Sequence, residues 1–162
     1  IAKISSISTK EFWQQYARKG AVGLVGGTLW IHKAICEAQA PVTPDRKPSL
    51  WAHAFVFTGK RPDGQEWIAE SDIVVEPLRM RIINGAQENG IEKYCGARKA
   101  LNCAVLDFGL SDQDADKVVR KAYDMVSQRI LYPVSGIFGT LIAYFSGTEK
   151  WRNLWNTRNA LY

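Results

Sequence analysis

A chain of 162 residues, 46% of them hydrophobic and 23% charged, can enclose one core and has too ordinary a composition for wholesale disorder. The formal net charge of +5 is a mild excess carried by scattered basic residues, which argues against nucleic acid as the expected partner. Three cysteines, Cys36, Cys95 and Cys103, include no Cys-x-x-Cys pair and so give neither a zinc site nor a disulfide scaffold.

Ser8-Thr9-Lys10-Glu11 has capping-box spacing, and Phe12, Trp13, Tyr16 and Ala17 follow at helical intervals up to Gly20. This predicts a short amphipathic helix whose aromatics pack. The Gly-rich apolar stretch from Ala21 to Lys33 matches neither the dinucleotide nor the P-loop fingerprint, and it predicts a turn leading into a strand over 28–32. His32 and Cys36, four apart, are two ligands at most, so core packing is their expected role and no metal or cofactor is implied. Pro41 to Pro48 marks an exposed loop.

The most informative stretch is Leu50 to Ser71. Aromatic and β-branched residues flank Gly59-Lys60-Arg61-Pro62-Asp63-Gly64-Gln65, which predicts a β-hairpin. A period of two puts Trp51, His53, Phe55 and Phe57 on one face of its first strand. His53 is a histidine among aromatics with a small alanine on either side. On its own it reads as a half-buried core residue whose nitrogens are satisfied by backbone, and Glu70 on the returning strand reads as a solvent-facing strand acid. Parity decides which residues of the returning strand share the face of His53: an odd residue-number sum for paired positions puts Glu70 there, and an even sum puts Ala69 and Ser71 there unless a bulge intervenes.

Beyond the hairpin, Ile73 to Arg81 predicts one or two short strands, with turns at Asn84-Gly85 and Asn89-Gly90. Cys103 to Phe108 predicts another strand, in which Cys103 is a small core residue. Ser111 opens the clearest helix, with Asp112, Asp114 and Asp116 near its positive end and an apolar face of Ala115, Val118, Val119, Ala122, Met125, Val126 and Ile130. Tyr132-Pro133 is the expected stop. No run reaches the length of a membrane-spanning helix. The sparse thiols slightly favour a cytoplasmic setting, while an opening at Ile1 leaves room for a removed upstream segment.

In order, these pieces resemble the circularly permuted papain-like cysteine hydrolases, the branch of the NlpC-type amidases related to lecithin–retinol acyltransferase. The resemblance is carried by Gly26-Gly27-Thr28-Leu29-Trp30-Ile31, by Trp51-Ala52-His53-Ala54-Phe55-Val56, by Ile68-Ala69-Glu70-Ser71, and by a late amphipathic helix followed by Tyr132-Pro133. It covers about the last five-sixths of the chain, and its specificity lies in order and spacing. It implies a single α+β domain over 1–162, an antiparallel sheet or half-barrel packed against helices. It also implies a nucleophilic cysteine just after Tyr162, so that the chain stops short of the nucleophile helix. None of the three cysteines present matches that position.

The expected activity is therefore thiol-dependent hydrolysis of an amide or ester, with His53 as base and Glu70 as its orienting acid. The expected substrates are a peptide, a cell-wall-type amide or a lipid acyl group. Backbone N–H groups at the start of the nucleophile helix would form the oxyanion hole, with Tyr132 or Tyr162 as a further candidate donor, and Trp30, Trp51 and Phe55 are either groove residues or plain core. The alternative is a catalytically inactive papain-like binding module. A weaker third reading is single-stranded nucleic-acid binding through Lys150, Arg152 and Arg158 with Trp151 and Trp155.

Overall fold

The structure, a computed structural model, describes residues 7–76, 81–96 and 102–131. The capping box forms as the spacing predicts. The Ser8 hydroxyl accepts from the Glu11 amide at 3.2 Å, and the Glu11 carboxylate accepts from the Ser8 amide at 2.8 Å. Helix α1 then runs Thr9–Tyr16 and turns Trp13 inward, where it is wholly buried.

Strand β1 (Val22–Gly26) is followed by helix α2 (Trp30–Ala38) and a single 3-10 turn at 40–42. Strands β2 (His53–Lys60) and β3 (Glu66–Glu76) make the expected hairpin, and β4 (Arg81–Gly90) continues the meander. A second 3-10 turn (Ile91–Tyr94), strand β5 (Asn102–Leu106) and helix α3 (Asp112–Ser127) complete the described chain. The fold is α+β: a five-stranded antiparallel sheet in the order β4-β3-β2-β1-β5, with three α-helices among the described residues.

The two faces of the sheet follow from the strand period. On one, Val25, Phe55, Phe57 and Ile68 pack with Trp13, Ile91 and Tyr94 into the main core. The Trp13 ring meets Phe55 at 5.7 Å and Phe57 at 5.9 Å, and Phe55 stacks on Tyr94 at 5.1 Å. Full burial of each large side chain contributes roughly 1.5–3 kcal/mol. Gly23 is required here, because it pairs with Phe55 and a Cβ on it would lie 2.1 Å from that ring. The opposite face is covered by α3, which is capped by Ser111 and buries Ala115 and Val119.

Four local expectations need correction. The predicted strand over 28–32 is the loop and first turns of α2, and the strand lies earlier, at Val22–Gly26. Trp30, Ile31, Ala34 and Ile35 recur at helical spacing, and a short apolar run cannot by itself separate the two periods. The stretch after Ser71 is not a new strand, since β3 runs unbroken to Glu76. Neither expected turn forms: Asn84-Gly85 lies inside β4, and Asn89-Gly90 is its last pair of residues, facing Ile68 and Trp67 of β3. Gly85 is there because the Ile130 carbonyl comes down on the strand. The Ala86 amide donates to it at 2.7 Å, a Cβ on Gly85 would sit 2.3 Å from it, and Gly85 itself has φ +117°. Finally, α3 closes at Ser127, with Arg129 at φ +50°, so Ile130 lies past the helix and not on its apolar face. The expected stop at Tyr132-Pro133, and the tail with Lys150, Trp151, Arg152, Trp155 and Arg158, lie outside the described residues.

Candidate active site

His53 is the first residue of β2, at the end of the strand away from the hairpin turn. Its relation to Glu70 depends on register. Val56 pairs with Ala69 and Phe57 with Ile68, an odd sum of 125, so His53 and Glu70 share a face. Nearer the turn, Gly59 pairs with Trp67 and Lys60 with Glu66, an even sum of 126. The register shifts between Phe57 and Gly59, so Thr58 is the extra residue of a bulge. Counted inward from the turn alone, the parity would set Ala69 and Ser71 beside His53. The bulge reverses it.

His53 Nε2 lies 2.8 Å from Glu70 Oε2, and the Tyr94 hydroxyl donates to the same oxygen at 2.6 Å. The other oxygen, Oε1, accepts from Asn89 Nδ2 at 2.7 Å and from Lys93 Nζ at 2.6 Å. The Lys93 ammonium also bonds Asp72 Oδ2. The Glu70 side chain has no solvent exposure, whereas 16% of the His53 side chain remains open.

Burial by itself pushes the Glu70 carboxyl up. The His53 hydrogen bond, the Lys93 charge and bond, and the Tyr94 hydroxyl outweigh it and hold the group at about 2. Glu70 is therefore an ionised carboxylate in a dry setting. Burial, reinforced by the Glu70 charge, drives the Tyr94 phenol far up, so it serves as a neutral donor. For Lys93, burial pushes the ammonium down, but Glu70 and Asp72 override it and the group is raised.

An ionised carboxylate can only accept. A neutral His53 must therefore carry its proton on Nε2, which leaves Nδ1 as the free base. This differs from the core alternative, in which backbone groups would have satisfied the ring. The arrangement can take a proton at Nδ1, stabilise the resulting imidazolium through Glu70, and return the proton.

Asn89, Lys93 and Tyr94, which complete the Glu70 shell, were not legible in the sequence. Lys93 and Tyr94 sit in a 3-10 turn that carries no motif of its own. Asp72 could have been found, because it shares the face of Glu70 two residues on along β3.

Cys36 and Cys103 are poorly set for nucleophilic work. Burial, helped by Glu37, pushes the Cys36 thiol up. Burial, helped by Cys95, pushes that of Cys103 up to about 12. Val25 pairs with both His53 and Cys103, so Cys103 is two strands from the imidazole, about 10 Å at ordinary strand spacing. Cys95 Sγ faces the Ile91 carbonyl at 3.8 Å.

Phe55, 2% exposed, belongs to the core rather than to a groove, while Trp30 is 71% exposed. Trp51 precedes β2, and its carbonyl accepts from Gln39 Nε2 at 2.9 Å. Tyr132 and Tyr162 lie outside the described residues. His32 packs against Gly27, and burial and then the nearby His53 push its imidazole down. Among the described residues no cluster of His, Cys, Asp and Glu could hold a metal ion, and no helix is long and apolar enough to cross a membrane. No family model matches the chain, and neither the curated proteins nor the solved structures contain a match to it.

Proposed function

We propose that this chain supplies the base and orienting acid of a thiol-dependent hydrolase acting on amide or ester bonds, on a permuted papain-like fold. The observation that carries the reading is the buried, ionised Glu70 bonded to Nε2 of a partly open His53. The resemblance supplies the nucleophile, a cysteine following Tyr162. The raised thiols of Cys36 and Cys103 are consistent with its lying elsewhere.

In this reading Nδ1 of His53 takes the thiol proton, and the thiolate attacks the carbonyl carbon to give a tetrahedral intermediate. The imidazolium, stabilised by Glu70, passes its proton to the departing amine or alkoxide and leaves a thioester. Nδ1 then removes a proton from water as it attacks the thioester, and returns it to the thiolate. Peptide, cell-wall-type amide and lipid acyl substrates all fit this chemistry.

The test pairs peptide mapping with turnover. Iodoacetamide should label a cysteine beyond Tyr162 in the intact protein and abolish activity. His53→Gln should lower thiol-dependent turnover by at least about 100-fold, the usual scale of general-base catalysis. Unchanged turnover in His53→Gln would overturn the proposal. An intact protein with no cysteine after Tyr162 would favour the second reading, a non-catalytic binding module.

A further inference from the structure

Strand β3 presents Glu70 and Asp72 on the same face, two residues apart. Carrying the register on from Val56↔Ala69 sets Asp72 opposite His53. Two carboxylates beside one imidazole would ordinarily repel each other and trap a proton between them. Lys93 intervenes from the 3-10 turn after β4, and its ammonium bonds Glu70 Oε1 and Asp72 Oδ2 together. Because Lys93 and Asn89 occupy Oε1, the other oxygen is presented to His53 and Tyr94.

The charge count follows from these groups. With His53 neutral, two carboxylates and one ammonium leave one negative charge. With His53 protonated the cluster is balanced. The remaining groups near the ring add no charge at neutral pH. His32 on α2 is lowered by burial, Tyr94 in the 3-10 turn is raised, Asn89 on β4 is an amide, and Cys103 on β5, across Val25 of β1, is a protonated thiol.

We propose that Lys93 is a positioning residue that, by bridging Glu70 and Asp72, aims the Glu70 carboxylate at His53 and limits the field on the imidazole to one net negative charge. The catalytic consequence rests on the hydrolase reading, since a base that must also return its proton cannot sit beside two uncompensated carboxylates. The effect of Lys93 on the imidazole is independent of turnover.

The test is an NMR pH titration of the imidazole signals in the whole protein. The chain has two histidines, and the His53→Gln spectrum identifies which signal is His53. Lys93→Met should move the His53 midpoint upward by about one pH unit, and Asp72→Asn should move it downward by a similar amount. The double variant should return close to the wild-type midpoint, and Lys93→Arg should stay near it. A purely structural lysine would not produce shifts of opposite sign that cancel. Shifts of the same sign in the two single variants, or no shift in Asp72→Asn, overturn the proposal. If Lys93→Met does not fold, Asp72→Asn alone decides. Failure of the hydrolase reading looks different: the midpoints move as stated while His53→Gln leaves turnover unchanged. Failure of this inference gives unmoved midpoints beside an inactive His53→Gln.

Discussion

Replacing Glu70 by Gln keeps the size and shape of the side chain and removes its charge, so the cost measures what the buried carboxylate contributes to the fold. Glu70 is held at about 2 against an ordinary value of 4.5. At 1.36 kcal/mol per pH unit that depression corresponds to roughly 3 kcal/mol of stability at neutral pH. A glutamine also offers one acceptor oxygen to a site where four donors converge. The amide nitrogen would meet two of those donors without an acceptor, and Lys93 would keep only Asp72. We expect a loss of about 3–4 kcal/mol near pH 7, in the range for breaking a buried ion pair from one side.

The pH dependence gives the sharper check. The folded carboxyl titrates below its unfolded value, so its contribution is complete above about pH 4.5 and drains away as pH falls toward 2. By about pH 3 the gap between wild type and Glu70→Gln should have closed by about 2 kcal/mol. Urea unfolding followed by tryptophan fluorescence at about pH 7, 5 and 3 measures this, and the chain's six tryptophans supply the signal. A gap as wide at pH 3 as at pH 7 would show that shape, not charge, is what Glu70 provides. That result would also remove the argument for the Nε2-protonated tautomer of His53.

Two further substitutions test the scaffold. Gly23→Ala would drive a methyl group into the Phe55 ring that covers it, and should destabilise by about 1–3 kcal/mol in chemical denaturation while leaving far-UV circular dichroism native; an unchanged midpoint would mean that the ring can withdraw freely. Ser111→Ala removes the hydroxyl that accepts from the Asp114 amide at 3.2 Å at the start of α3, and should cost about 1 kcal/mol with faster amide exchange confined to the first turn.

Much of this architecture is written in local chemistry. The Ser8–Glu11 box, the Ser111 cap with its early aspartates, and the alternation of His53, Phe55 and Phe57 each depend on residues within a few positions of one another. Such signals survive reading one residue at a time, because a cap needs only its own first turn and a strand face only its own period. Where the sequence misled, the deciding partner was distant. The apolar stretch from Ala21 to Ile35 divides into strand and helix because β1 finds β2 and β5 on its two sides. Gly85 is a strand residue because the Ile130 carbonyl arrives from 45 positions away.

The site divides in the same way. His53 and Glu70 stand out in the sequence, as a histidine and an acid on facing arms of one hairpin. Whether they met was decided by a single extra residue at Thr58, which reverses the parity set by the turn and which loop length alone does not encode. The ionised state of Glu70 was decided further away still, by Asn89, Lys93 and Tyr94 closing over it from β4 and the turn beyond. A sequence names the groups that can titrate. Which of them hold a charge depends on burial and on partners within about 3 Å, and only the folded chain brings those together.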